Sequence, residues 1–483
     1  MHVRGAEGDV TENRWKNLSV LAPAAATHFL AARITEALLS QGASGIPEAV
    51  GGAPARFLRI ETAIDTISPL DWLAAQPDFT QYYWADREGA FAMAGVGEAD
   101  VVAPSDEATL AALFARLRAY LNERAPSLRY YGGFRFHKGP VKGERWRAFK
   151  EYRFVVPRFE LIRRDGGLFL ACNLRVTHPR TNARLHESLM RDLGALHFPE
   201  TPPEISLPPV VKRLDLPDRE GWRRLLARAS AAIDNGEMEK VVAARESLFR
   251  AAGPVDAMAL LRRLADQAPL CYHFCFHPAP DRAFIGASPE RLYKRVNCHL
   301  LTEALAGTRP RGRSDAADRT LGEALLHSDK ERREHEIVVK AIDDLLRPNC
   351  RHFEAEDKPS LLRLRHCQHL RTRIEGLLEQ HDADARLIEL LHPTPAVGGL
   401  PRDRALQWIE AEEPFDRGIY AAPVGWVGYD AAEFSVGIRS GLVQGDTLAV
   451  YSGAGIVSGA DPEEEWEEMN SKMAAFLAAM QAI

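Results

Sequence analysis

Carboxylates at helical spacing are the first residues whose placement invites chemistry. Ser328 followed by Glu331 reads as a capping box, which starts a helix there and fixes its register. On that register Glu334 shares an apolar stripe with Val338, Ile342 and Leu345, while Arg332, Arg333 and Lys340 point elsewhere. A second helix starts at Asp461, with Pro462 in its first position and Glu464 completing the box. There Glu465, Glu468 and Lys472 fall at i, i+3 and i+7, in line with Phe476. A carboxylate on a core-facing stripe is costly unless it meets a metal, a cation or several donors. Mg²⁺ takes oxygen ligands, often one or two protein carboxylates completed by water and substrate oxygens, and Glu334 and Glu468 suit it. Two plainer readings stand beside this one. Glu334 can reach water or an arginine from the stripe edge, and Glu468 with Lys472 has the favoured order of an i,i+4 ion pair.

Other constellations lead elsewhere. Cys271, His273, Cys275 and His277 alternate on one strand face, but alternate strand residues lie about 6.6 to 6.8 Å apart, so four collinear side chains cannot close on one tetrahedral zinc. The run from Gly453 to Gly459 has Ser458 where a dinucleotide fingerprint needs its third glycine. It reads either as an anion-binding loop ahead of the Asp461 helix or as a plain tight turn. No GxSxG elbow, Walker loop or HExxH is present, which sets aside serine-hydrolase, P-loop and zincin chemistry.

The elements that must position these residues are mixed. Strands are expected at 56–64, 240–245, 271–277, 283–287, 295–305, 424–429, 434–442 and 447–451, with a strand pair over 81–96 joined across the Asp86 to Gly89 turn, interrupted by helices at 219–233, 328–346, 385–391 and from Pro462. The 219–233 helix ends at Asn235-Gly236, where glycine tolerates a left-handed cap. Antiparallel-looking runs broken by helices indicate α+β layers, not a doubly wound nucleotide fold. Six prolines between 199 and 217 mark a boundary, which separates an N-terminal region (residues 1–217) from a C-terminal region (residues 218–483).

The 483 residues carry 61 basic and 67 acidic side chains, a formal charge of -6 without long single-sign blocks, so neither nucleic acid nor a membrane surface is an expected partner. The apolar run 17–32 is too short to span a bilayer. Glu7, Asp9 and Glu12 precede any apolar run, unlike a signal peptide, and six sparse cysteines fit reduced thiols, so a cytoplasmic location is expected.

The C-terminal region resembles the chorismate-binding enzymes, and most closely their isochorismate synthases. The matching runs are EKVVAARE (239–246), FIGASPERL (284–292), EALAGTRPRG (303–312), SDKERREHEIVV (328–339), LHPTPAVGGLP (391–401), FDRGIYAAPVGWVG (415–428), EFSVGIRS (433–440) and GAGIVSGADPEEEWEE (453–468). LRIE (58–61), YYWADREG (82–89) and YYGGFRF (130–136) resemble the more variable N-terminal region of the same fold. The resemblance implies an α+β, anthranilate synthase component I-like fold of two antiparallel sheets flanked by helices, and a Mg²⁺-dependent conversion of chorismate to isochorismate. By family position Glu334 and Glu468 are metal ligands, with Glu465 beside them through bound water. Lys240 is the base that activates water and Glu290 the acid that protonates the leaving hydroxyl. Desolvation at the start of an apolar strand would lower the pKa of Lys240, and burial after Pro289 would raise that of Glu290. Arg439, Lys472 and the Gly453 to Gly455 backbone are similar to holders of substrate carboxylates, and His392, Thr308 and Tyr420 to pocket-lining residues.

Within the family, aminodeoxychorismate synthases carry a nucleophilic lysine where this chain has Ala306, which closes that route. Lys240 and His392 argue against an anthranilate synthase. A salicylate synthase, which goes on to eliminate pyruvate, shares Lys240 and Glu290 and is the alternative. A monomer or weak homodimer is expected.

Overall fold

The computed structural model describes residues 19–43, 56–104, 109–123, 125–137, 144–176 and 182–481, so Glu7, Asp9 and Glu12 lie outside the described residues. The chain forms two compact units, one of residues 1–100 and 157–203, the other of 101–156 and 204–483. The second chain crossing falls inside the proline-rich stretch, but residues 101–156 group with the C-terminal unit, a division different from one boundary at 217. The reason is long-range pairing: strand Arg129–Phe134 bonds to Pro423–Gly428, nearly three hundred residues later.

In the first unit, strand Arg56–Ala63 pairs with Gly167–Val176, which pairs in turn with the end of Tyr152–Arg164. Arg59, Glu160 and Asn173 form a buried polar cluster across these strands.

The second unit holds two antiparallel arrays. One runs, neighbour to neighbour, through Val210–Leu216, Lys240–Ala251, Thr447–Ile456, Ser440–Gln444, Arg282–Ser288 and Tyr272–Ala279. The other runs through Arg129–Phe134, Pro423–Gly428, Ala431–Val436, Arg291–Val296, His299–Pro310 and Cys367–Leu378. The chain passes between the arrays twice at one place, through Pro289-Glu290 and through residues 437–439.

Helices cover the sheets where their apolar stripes require it. Ser328 caps Asp329–Leu346 by accepting from the Glu331 N–H, and Asp461 caps Pro462–Lys472 by accepting from Glu463 and Glu464. The reciprocal half of the first box is not used, because the Glu331 carboxylate accepts from the Thr308 N–H instead, at 3.3 Å. The buried stripe of that helix is His335, Val338, Ile342 and Leu346, so Glu334 stands at its edge. Arg219–Asp234 ends with Gly236 at φ +74, the left-handed position that glycine adopts without strain. The alternating Cys/His strand is a buried sheet strand, with Cys271, His273 and Cys275 all in the core. No helix among the described residues is long and apolar enough to cross a membrane.

Candidate active site

Every position from Lys240 to Ser247 is buried, so this segment is covered on both faces. Arg417 pins it. Its guanidinium donates to the carbonyl of Val242 at 2.7 Å and of Val397 at 3.0 Å and pairs with Glu413, whose carboxylate accepts from the Ala244 N–H at 2.9 Å. A buried pair with this many partners is costly to break from either side. At the head of the strand Lys240, 0% exposed, donates from Nζ to Glu334 Oε1 at 2.8 Å.

Next to it, Gly453 and Gly455 lie within strand Thr447–Ile456, opposite Ala244 and Val242. They are strand residues and do not form an anion loop. A Cβ on Gly455 would stand 2.7 Å from Glu334 Oε1 and 3.0 Å from Lys240 Cε, and one on Gly453 2.8 Å from the Tyr420 hydroxyl. Both glycines are required by side chains reaching over the strand, not by backbone conformation.

The helix carboxylates face these groups. Glu468 bonds to Lys472 at 2.6 Å, and Lys472 also donates to the Gly453 carbonyl at 2.9 Å. Burial pushes the Glu468 carboxyl up, but Lys472 outweighs it and holds the group below its ordinary value. Glu465 is raised to about 7 by burial and then by Glu468, and Glu331 is raised by burial and then by Glu334 and Glu468. Such mutual crowding is what a divalent cation relieves, and the donors are hard oxygens. With the carboxylates turned to lysines, no three His, Cys, Asp or Glu side chains among the described residues stand as a ready ligand set. A Mg²⁺ site of one or two carboxylates completed by water and substrate still fits this donor chemistry.

Glu290 and Arg439 occupy the two crossings between the sheets. The Glu290 carbonyl accepts from Val436 at 3.1 Å, and the Arg439 carbonyl accepts from Ala287 at 3.0 Å. Glu290 is 5% exposed, and its carboxyl is raised to about 8 by burial first and Glu303 second, against the opposing pull of Lys240, Lys472 and Arg439. A carboxylic acid that keeps its proton at neutral pH is a proton donor. Arg439 has φ +50, an uncommon conformation for a residue with a side chain.

These groups surround one cleft. Glu290, Glu334, Glu468, Lys472, Arg439 and Tyr420 line it, together with Thr308, Gly453 and Gly455. Tyr420 stacks on Tyr451, a further wall residue, at 5.3 Å between ring centres. Lys240 and Glu465 are not among the lining residues: the Lys240 amine borders the cleft beside Gly455 and Glu334, and Glu465 accepts from Lys330 at 3.4 Å. His392 is not among the lining residues: it closes helix Asp384–Leu391 and turns its ring onto Phe136. The imidazole on the cleft wall is His369, whose Nδ1 lies 3.1 Å from Thr308 Oγ1 and 3.2 Å from the Gly307 carbonyl. A bulge at Gly307, φ +77, aims both partners toward it. Sequence reasoning missed His369 and the position of Glu331 against Thr308. The CQHLRT run offered a signal for the first, since Cys367 and His369 share one strand face.

The model of the chorismate binding enzyme family matches residues 48–481. The chain belongs to this family, among its isochorismate synthases. It is 35% identical to the isochorismate synthase MenF of Escherichia coli over 86% of this chain and 91% of that one. It is 32% identical to the chloroplastic isochorismate synthase of Catharanthus roseus over 95% of this chain and 86% of that one. The solved structure of the menaquinone-specific Escherichia coli MenF superposes with a TM-score of 0.79 at 31% identity, covering 93% of this chain and all of that one. The α+β architecture read from the sequence is thus the chorismate-binding fold, and the cleft of this isochorismate synthase relative lies wholly within its second unit.

Proposed function

We propose that the protein isomerises chorismate to isochorismate, with water adding at ring C2 as the C4 hydroxyl leaves. The observation that carries this reading is the placement of the buried Glu290 carboxyl on the wall of a cleft that also presents Arg439 and Lys472, burial raising that carboxyl to about 8. Lys240 takes a proton from the attacking water. Its Nζ donates to Glu334 at 2.8 Å, which fixes the direction of the amine. Glu290 gives its proton to the departing C4 oxygen, which leaves as water. The proton gained by Lys240 and the proton lost by Glu290 balance, so the net reaction is an isomerisation that consumes nothing. Arg439 and Lys472 hold carboxylates of the substrate, and the Tyr420 and Tyr451 rings wall its apolar edge. Ala306 lines the cleft where a covalent route would need an amine, which leaves water as the nucleophile.

Glu334 and Glu468 would hold Mg²⁺, with Glu465 behind them through water. The ion would supply positive charge for a substrate carboxylate and help to orient it. Thr308 and His369 complete the wall beside Arg439.

Product analysis tests the reading. Incubation with chorismate and Mg²⁺ yields isochorismate, read by a coupled isochorismatase, with no pyruvate in a coupled lactate dehydrogenase assay. Pyruvate released at the rate of chorismate loss, with salicylate fluorescence rising in step, replaces this reading with a salicylate synthase.

A further inference from the structure

Cys367 opens strand Cys367–Leu378 and is 1% exposed. Its sulfur lies 3.4 Å from His369 Nε2 and 3.6 Å from Arg439 Nη2, and Arg439 Nη2 is 3.3 Å from His369 Nε2. Three side chains from two separate segments thus meet behind the cleft wall, and two of them line the cleft while the cysteine does not.

One tautomer of His369 satisfies all of these contacts together. The Gly307 carbonyl only accepts, so His369 carries a proton on Nδ1, and in the tautomer with that proton alone Nε2 is an acceptor. Arg439 Nη2 has two hydrogens, one for Nε2 and one for the sulfur. Its other terminal nitrogen donates to the Lys472 carbonyl at 3.2 Å. The guanidinium is therefore clamped at both tips, leaving its remaining N–H groups for the cleft.

We propose that Cys367 is a positioning residue for substrate binding, acting as the acceptor that, with His369, holds the Arg439 guanidinium in the orientation that receives a substrate carboxylate. Arginine side chains lose substantial rotamer freedom when fixed, and the φ +50 backbone of Arg439 persists only where its surroundings over-determine it. The sulfur supplies some of that constraint in advance, so binding does not have to.

This inference rests on the reading of Arg439 as a carboxylate holder, and a double-mutant cycle separates the two. Steady-state kinetics with chorismate and saturating Mg²⁺ are measured for wild type, Cys367→Ala, Cys367→Ser, Arg439→Gln and Cys367→Ala/Arg439→Gln, with a melting curve for each. Cys367→Ala raises KM about tenfold with kcat within about twofold, the size expected for losing a hydrogen bond to a charged group. Cys367→Ser, whose hydroxyl still accepts, recovers most of that loss. In the Arg439→Gln background Cys367→Ala adds less than about twofold, because the group it positions is gone. Independent, additive effects overturn the inference, as does a Cys367→Ala or Cys367→Ser variant that loses kcat while keeping KM. Arg439→Gln with raised KM beside Cys367→Ala at wild-type KM overturns the inference alone. Arg439→Gln at wild-type KM overturns the reading of Arg439 and the inference with it.

Discussion

Replacing Glu290 by Gln separates what the acid does for the reaction from what it costs the fold. With a carboxyl raised to about 8, Glu290 holds its proton at pH 7 about 90% of the time, whereas an ordinary carboxyl near 4.5 holds it about 0.3% of the time. The folded state therefore binds a proton that the unfolded chain releases. Its stabilising contribution is fully present below pH 4.5, falls as pH rises, and is lost by the time pH passes 8. At 1.36 kcal/mol for each tenfold change in proton activity, wild type has lost about 3 kcal/mol of stability at pH 7 and about 5 kcal/mol above pH 8 through this one group. Glutamine cannot ionise, so the variant escapes that loss while turning over about 10²- to 10⁴-fold more slowly, because an amide does not protonate the leaving hydroxyl. Urea unfolding of both proteins from pH 5 to 9 reads the first effect, and kcat with chorismate reads the second. The stability curves should diverge with rising pH and run parallel above about 8. In the same range wild-type turnover should fall. Superimposable stability curves, or a variant with undiminished turnover, would show that Glu290 is neither proton-linked nor the acid.

Lys240→Ala should lower kcat about 10²- to 10⁴-fold with chorismate affinity little changed, and near-wild-type turnover would remove the lysine from the mechanism. Glu334→Ala and Glu468→Ala should each abolish the response of activity to Mg²⁺; an unchanged titration would return both residues to plain ion pairs with Lys240 and Lys472. Gly455→Ala places a methyl against the Glu334 carboxylate and the Lys240 stem, both of them ends of movable side chains. It should melt within a few degrees of wild type but lose most activity, and an active Gly455→Ala enzyme would show that the Lys240–Glu334 contact is dispensable.

The features of this site that sequence made legible are those coded locally. The cap at Asp461, the i, i+3, i+7 series of Glu465, Glu468 and Lys472, and the left-handed stop at Gly236 depend on residues within a few positions of one another. The carboxylates could be placed on their helices, but the lysines that answer them could not all be named. Lys240 reaches Glu334 across 94 residues, which no periodicity encodes. His369 escaped notice for the same reason, since its partners Gly307 and Thr308 come from a strand about sixty residues earlier and are aimed by a bulge. His392 stood out because it sits in a recognisable run, yet its half-buried ring packs on Phe136 and not on the cleft wall. The Arg417–Glu413 strut shows the converse. Its i,i+4 spacing looks like a surface pair, and only the tertiary fold shows that both side chains are 1% exposed.

The double crossing that carries Glu290 and Arg439 sets a scale for what the enzyme can recognise. The flanking strands are direct neighbours on each side of the bend, Arg282–Ser288 with Ser440–Gln444 and Arg291–Val296 with Ala431–Val436. The separation between proton donor and anion holder is thereby tied to the spacing of hydrogen-bonded strands, about 4.8 Å, which is a constant of the polypeptide backbone. Side chains around the ring can be exchanged to favour one polar substituent over another without disturbing that ruler. A change in chain length at Pro289-Glu290 or at residues 437–439 cannot, because an extra residue would reverse the facing of every side chain beyond it on that strand. Natural variation in substrate choice should therefore accumulate in the wall of the cleft and spare the length of the bend.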